Sequence, residues 1–304
     1  MDGMPSDTVL LAQRPVRHMG FGAMQLPGPG VFGPPKDRAV ALAVVRRAVE
    51  AGVNHIDTAQ FYGPDVANEL LHEALHPYPD NLVLVSKVGA ARNDKGEWIG
   101  AQRPEDLRAG VRANLRSLEL DQIPVVNLRR HPESDVPFAD QLEEMIALRD
   151  EGLIAGIGLS NASLEQYNEA RARTEVACVQ NAYNLADRSD QAVFDACQAD
   201  GVPYVPFFPL GSAFHPENPV LGAPAVKETA ARLAATPAQV ALAWLLHLAA
   251  QRPFDPGDVL TGALGREPGR RRARPRPGGP RRTAHLTRGE KHSPADNAER
   301  SAAT

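Results

Sequence analysis

Three residues that can together hand a proton to a carbonyl group lie close along the chain: Asp57, Tyr62 and Lys87. A lysine ammonium beside a phenol lowers the phenol's pKa. A carboxylate keeps that lysine charged, and the phenol then serves as general acid. Asp57 closes a short apolar run at 53–56, and Tyr62 follows on the next loop. Lys87 sits near the carboxyl end of a second apolar run, 82–89. Each has an ordinary explanation alone: an Asp after a strand caps or turns, and a Tyr packs by its amphipathic ring. At the ends of two successive strands they read as one relay.

Such a relay needs a scaffold that presents strand ends side by side. Short apolar runs, the mark of buried parallel strands, occur at 18–24, 53–56, 82–89, 123–128, 154–159, 176–180 and 203–208. Helical spacing predicts helices at 38–51, 65–75, 104–118, 138–151, after the cap Ser163, and at 189–200, 223–235 and 237–248, the last capped by Thr236. Pro104 suits the first turn of its helix, and Gly52 and Gly152 stop theirs. Residues 1–17 predict a loose arm or short hairpin, and 90–102 a loop. Seven strand-then-helix units in succession indicate an α/β (β/α)8 TIM barrel with its eighth strand and closing helices unrecognisable. No Gly-x-Gly-x-x-Gly follows the first strand, which speaks against a doubly wound dinucleotide fold. In such barrels chemistry sits at the carboxyl ends of the strands.

The bulk numbers agree with a globular enzyme. The chain has 304 residues, 43% of them hydrophobic, which allows ample core. No run of 18 apolar residues suggests a membrane span, and no charged-then-apolar leader suggests export. The two cysteines, Cys178 and Cys197, lack metal-type spacing and read as packed, reduced thiols in a cytoplasmic protein. No metal ligand set is expected.

Other strand-end residues extend the site. Gly20 and Gly22 on the first strand would let a ligand approach the backbone closely, though two glycines also make a plain turn. Arg129, Arg130 and His131 end the fourth strand, and Ser160 and Asn161 the fifth. The motifs GFGAM, HIDTAQFYG, VSKVG, GLSN, VQNAYN, FFPLGS and ATPAQVALAWLLH together resemble the aldo-keto reductase family over about residues 15–248. Members of that family are (β/α)8 barrels that reduce aldehydes and ketones with NADPH and have no Rossmann domain. The resemblance implies Asp57, Tyr62 and Lys87 as three of four catalytic positions. It implies Ser160, Asn161 and Gln180 as partners of the nicotinamide carboxamide, and Phe207 as the aromatic stacked on the ring. Leu210 and Ser212 would lie beside the pyrophosphate, and Gly22, Ala23 and Met24 would line the cofactor. Paired donors and acceptors from Ser, Asn and Gln suit a carboxamide.

Two departures stand out. The family carries His before an R-P or W-P step after the fourth strand; here the segment is VVNLRRHP. Counting back from Pro132 puts Arg130 at that place and His131 one later. Arginine is a permanent cation that polarises a carbonyl but does not shuttle protons. On this reading Arg130→Ala lowers carbonyl reduction more than His131→Ala does. The second departure is the end of the chain. Residues 249–304 hold twelve Lys and Arg against six Asp and Glu, and fourteen Pro or Gly, whereas the body 1–248 is acidic. A solvated tail and a nucleic-acid contact are both readings of such a segment. A third fits better. Shifted by one nucleotide, codons from Gln251 onward can encode strings like the family's eighth strand, phosphate loop and final helix, which points to a frameshift near His247. The expected division is a barrel over 1–248 and an irregular Arg/Pro/Gly-rich tail over 249–304. The main functional reading is reduction of a small-molecule carbonyl with NADP(H), with neither nucleic acid nor membrane as partner. The alternative is a cofactor-deficient, inactive barrel. Trp98 and Phe214 suit an apolar pocket wall and simple packing equally.

Overall fold

Period-two runs make the strands of one parallel sheet here, and period-3.6 runs make the helices that cross it. A computed structural model describes residues 8–131, 134–211 and 217–250. A hairpin of β1 (Thr8–Leu11) and β2 (Arg14–Arg17) comes first, then β3 (Phe21–Gly22), α1 (Arg38–Glu50), β4 (His55–Asp57), α2 (Val66–Leu75) and β5 (Val83–Val88). A second hairpin, β6 (Ala90–Arg92) and β7 (Trp98–Gly100), leads into α3 (Pro104–Leu118), β8 (Ile123–Arg129), α4 (Phe138–Asp150) and β9 (Ile154–Ser160). Then come α5 (Leu164–Arg173), β10 (Val179–Gln180), α6 (Gln191–Asp200), α7 (Pro224–Arg232) and α8 (Pro237–Ala250). The order β10-β9-β8-β5-β4-β3 is sequential and every pair in it is parallel. That is the wall of a TIM-type barrel. All described residues belong to one compact unit, Met1–Phe254.

Alternation along the strands sorts the core into an inside and an outside. Val83, Val85, Val125 and Cys178 meet inside the curl, where Leu11 and Val16 of the first hairpin pack against them. Val126 and Leu128, between those positions on β8, face outward onto Leu107, Val111, Leu142 and Met145 of α3 and α4. Residues 8–17 are thus an ordered hairpin with two apolar anchors.

The sequence-predicted seventh strand, 203–208, lies beside β10 and makes parallel ladder bonds, Val205 N to Val179 O at 2.7 Å and Phe207 N to Asn181 O at 2.9 Å. Its pairing takes the form of two parallel bridges, Val179 with Tyr204 and Ala182 with Phe207. Pro206 falls between the two donating residues and has no N–H to offer the opposite edge. The expected tail, with the missing eighth strand and phosphate loop, falls on residues 251–304, outside those described.

A buried polar network ties the outer helices to the strand ends. Thr58 Oγ1 donates to Asn68 Oδ1 at 2.8 Å, and Asn68 Nδ2 donates to Asn114 Oδ1 and Ser117 Oγ at 2.9 Å. Ser86 Oγ donates to the same Asn114 oxygen at 2.5 Å, and Asn114 Nδ2 donates to Gly110 O at 2.9 Å. Thr58, Asn68, Ser86 and Asn114 are fully buried. A satisfied network fixes one arrangement, whereas a broken one leaves desolvated orphans. Asn114→Ala is therefore expected to cost about 2 kcal/mol or more, read as a lower urea midpoint with unchanged slope.

Candidate active site

Every group of the expected relay lies where its strand ends. Asp57 is the last residue of β4 and pairs in register with Gly22 and Val85. Lys87 shares the inward period of Val83 and Val85, so its stem runs up the barrel interior. Its ammonium donates to Asp57 Oδ2 at 2.6 Å and to the Thr58 carbonyl at 3.0 Å. Lys87 is 3% exposed and Asp57 16%. The Lys87 Nζ stands 5.0 Å from the centre of the Tyr62 ring. Tyr62 is buried between Phe61 and Trp98, whose rings meet it edge-on at 5.4 and 6.4 Å.

The electrostatics refine the expected relay. Burial raises the Tyr62 pKa above the ordinary 10.0 and outweighs every other influence. Lys87 pulls it down by charge and hydrogen bond, Asp57 pushes it up, and Arg129 pulls it down again. The net direction is upward, contrary to the simple expectation of an acidified phenol, so Tyr62 remains a proton-bearing donor. For Lys87, burial opposes the charge, yet the Asp57 carboxylate and Tyr62 more than offset it and hold its pKa above the ordinary lysine value.

At the fourth position the neighbouring residues 129–131 differ in what they face. Arg130 turns outward: its Nη1 donates to Gln102 Oε1 at 3.1 Å and its guanidinium lies 5.5 Å from the centre of the Phe138 ring. His131 stands against Gly100 on β7. Besides Lys87, Arg129 acts by charge on both Tyr62 and Asp57. Counting from Pro132 misses it, whereas strand alternation finds it: Val125, Asn127 and Arg129 share the inward face of β8. Gln102 fixes this strand end by donating from Nε2 to the Arg129 carbonyl at 2.5 Å. Gly89, at φ +101°, lets the chain turn directly behind that carbonyl, a place no side chain fits.

Two other sequence-predicted residues sit at neighbouring strand ends. Gln180 ends β10 and donates from Nε2 to Asp57 Oδ1 at 3.0 Å. Ser160 ends β9 opposite Arg129 in the ladder. Ser160 Oγ and Gln180 Oε1 are buried and have no hydrogen-bond partner among the described residues. Two orphaned polar atoms side by side at a barrel mouth are costly unless a ligand satisfies them. Asn161 is exposed in the left-handed region at φ 55°, its N–H on Gln180 O at 3.3 Å. Gly22 is exposed, Ala23 buried and Met24 half-buried. Phe207 is half-buried, its ring edge-on to Phe208 at 5.0 Å, and Leu210 lies two residues beyond Phe208. Ser212 and Phe214 lie outside the described residues.

Sequence reading took 90–102 as a plain loop, yet it forms the β6–β7 hairpin that carries Trp98 over Tyr62. The signal was present in Asn93-Asp94-Lys95-Gly96. The Asn93 carboxamide oxygen accepts from Lys95 N and Glu97 N at 3.0 and 2.9 Å, and Gly96 takes φ +78°. Arg92 then stacks 4.1 Å from the Trp98 ring and donates to the Val31 carbonyl at 2.8 Å.

The family model described as Aldo/keto reductase family matches residues 18–259. This chain belongs to that family. It is 48% identical over 249 residues to pyridoxine 4-dehydrogenase of Escherichia coli (strain K12), spanning 80% of this chain and 85% of the relative. Two solved aldo-keto reductases of Klebsiella pneumoniae are similar in fold. The one in complex with NADPH is 27% identical, with TM-score 0.65, covering 79% of this chain and 81% of its own. The one in complex with NADP and acetate is 26% identical, with TM-score 0.64, covering 78% and 80%. As an aldo-keto reductase, the chain keeps the carboxylate, phenol and ammonium on one barrel rim.

Two measurements check this geometry. Arg129→Ala is expected to lower carbonyl turnover by about tenfold or more, the scale of one lost transition-state donor, and Arg130→Ala much less; the reverse order restores the fourth position to Arg130. The phenolate absorbance of the wild type minus that of Tyr62→Phe is expected to rise only above pH 10.0, because net burial raises this phenol; ionisation well below that value contradicts it.

Proposed function

We propose that this chain reduces an aldehyde or ketone to the alcohol with NADPH, Tyr62 donating the proton. The observation that carries the reading is the Lys87–Asp57 pair at 2.6 Å set against the Tyr62 ring at 5.0 Å. The cofactor reading rests on the unsatisfied Ser160 Oγ and Gln180 Oε1, which suit a carboxamide, and on the ligands named for the two Klebsiella reductases. NADPH, when bound, supplies a hydride. The chain's own residues do the rest. Ser160, Asn161 and Gln180 would hold the carboxamide, Phe207 would stack on the nicotinamide, and Gly22, Ala23, Met24 and Leu210, with Ser212 outside the described residues, would serve the remainder.

At the carbonyl oxygen, the Tyr62 hydroxyl donates its proton as negative charge develops there. Lys87 and Arg129 stabilise the phenolate left behind, and Asp57 holds Lys87 in place. Trp98 and Phe61 keep water from the phenol. The buried free thiols Cys178 and Cys197 suit a cytoplasmic setting, and the net charge of −4 gives no ground for a nucleic-acid partner.

The name of the 48%-identical relative selects the first pair to try, pyridoxine and its 4-aldehyde. The chain is expected to quench NADPH fluorescence on binding and to oxidise NADPH with that aldehyde. Tyr62→Phe should retain NADPH binding and lose turnover by about 100-fold or more. Binding without turnover of any aldehyde sinks the reductase reading. Absence of NADPH binding favours instead the cofactor-deficient barrel.

A further inference from the structure

The far end of the barrel carries a second cluster. Helices run back antiparallel to the strands, so the carboxyl ends of α2 and α3 lie opposite the active-site mouth. There His72, in the last turn of α2, His76, its cap four residues on, and Glu119, the cap of α3, converge. One nitrogen of each histidine and one carboxylate oxygen all lie within 4.8 Å of one another.

Three features set this cluster apart from a chance surface grouping. His72 Nε2 is a buried atom that stands 3.2 Å from Glu119 Oε2, yet it makes no hydrogen bond among the described residues. That separation matches one edge of a tetrahedron of zinc ligands, about 3.3 Å for bonds near 2.0 Å. His72 and His76 follow the i, i+4 spacing that puts two side chains on one helical face, with ring centres 4.5 Å apart. The surround is also built. Tyr78 meets the His76 ring edge-on at 5.5 Å, and its hydroxyl donates to the Leu118 carbonyl at 2.9 Å, one residue before Glu119. His72 and Glu119 open onto a cleft of about 520 Å³ whose other charged walls are Asp65, Glu69, Glu73, Arg38 and Arg116, Arg38 being paired with Glu73.

We infer that His72, His76 and Glu119 form a binding site for a first-row divalent ion, with Zn²⁺ as the natural probe. Two imidazoles and one carboxylate fill three tetrahedral positions and leave the fourth to water. The exposed His76 and Glu119 side chains need only small rotations to close from 4.8 Å to a ligand edge. Because the site joins the ends of α2 and α3, far from the mouth, its bound ion acts as a staple and leaves the chemistry alone. The same two helices carry the Asn68–Asn114 bond that supports Thr58 and Ser86.

The test uses the full chain, untagged and freed of metal by chelation. Titration with ZnCl2 is expected to saturate at one ion per chain and to raise the melting temperature. His76→Ala and Glu119→Gln, both at exposed positions, should weaken Zn²⁺ binding at least tenfold and abolish the melting shift while keeping the helical circular dichroism. Co²⁺ should give the visible bands of a tetrahedral site in the wild type and lose them in both variants. Zn²⁺ isotherms that coincide for the wild type and His76→Ala would place any binding at other histidines and overturn the proposal. Absence of saturable binding by the wild type overturns it equally.

Discussion

The structure turns on one ion pair taken almost wholly out of water. An ammonium buried to the degree of Lys87 costs several kcal/mol in desolvation, which only close opposite charge and full hydrogen bonding offset. Asp57 supplies the charge at 2.6 Å and the Thr58 carbonyl a second acceptor at 3.0 Å. Both come from the same strand end, so β4 and β5 must hold their register for the lysine to be tolerated at all. A slip of one residue would carry Lys87 into the apolar layer beneath α2 and α3, with no partner there.

That demand explains why the polar network outside the sheet is as buried as the site within. Thr58 and Ser86 each adjoin a relay residue, and their hydroxyls point the other way, into Asn68 and Asn114. The helices therefore fix both strand ends from behind. On the inner side Gln180 closes the arrangement by reaching Asp57 from β10, 123 residues away in sequence. The relay is braced on two faces, and the cost falls on the atoms left over. Ser160 Oγ and Gln180 Oε1 remain unsatisfied at the mouth, which is the stability a binding site gives up to stay ready for ligand.

Most of the scaffold was legible because its signals are local. Helix α3 follows from Pro104 and its apolar period, α5 from the Ser163 and Gln166 capping box. The relay residues were legible because strand ends carry polar groups that the apolar runs cannot absorb. The 203–208 segment has strand composition and does ladder onto β10. What failed had competing signals. The 90–102 hairpin holds short strands between polar turn residues, so no long alternation announced it. Arg130 follows from distance to a proline, whereas strand alternation on β8 puts Arg129 on the inward face, so spacing and alternation name different arginines.

The presence of Arg129 changes the character of the site beyond a swap of one donor for another. Lys87 and Arg129 both act on Tyr62 by charge, Arg129 the more weakly, against the single carboxylate of Asp57. A titrating imidazole would leave that balance dependent on pH, whereas a guanidinium does not. The surplus positive charge is directed at the place where a carbonyl oxygen gains negative charge and where the phenol loses its proton. Burial raises the phenol's pKa in the resting chain, so the cations count most in the transition state, when charge moves onto oxygen inside a poorly solvated pocket. Stabilisation that grows as the reaction proceeds is the kind that accelerates it. On the proposed reading Tyr62 would carry the transferred proton, and Arg129 would contribute by field strength and not by proton shuttling.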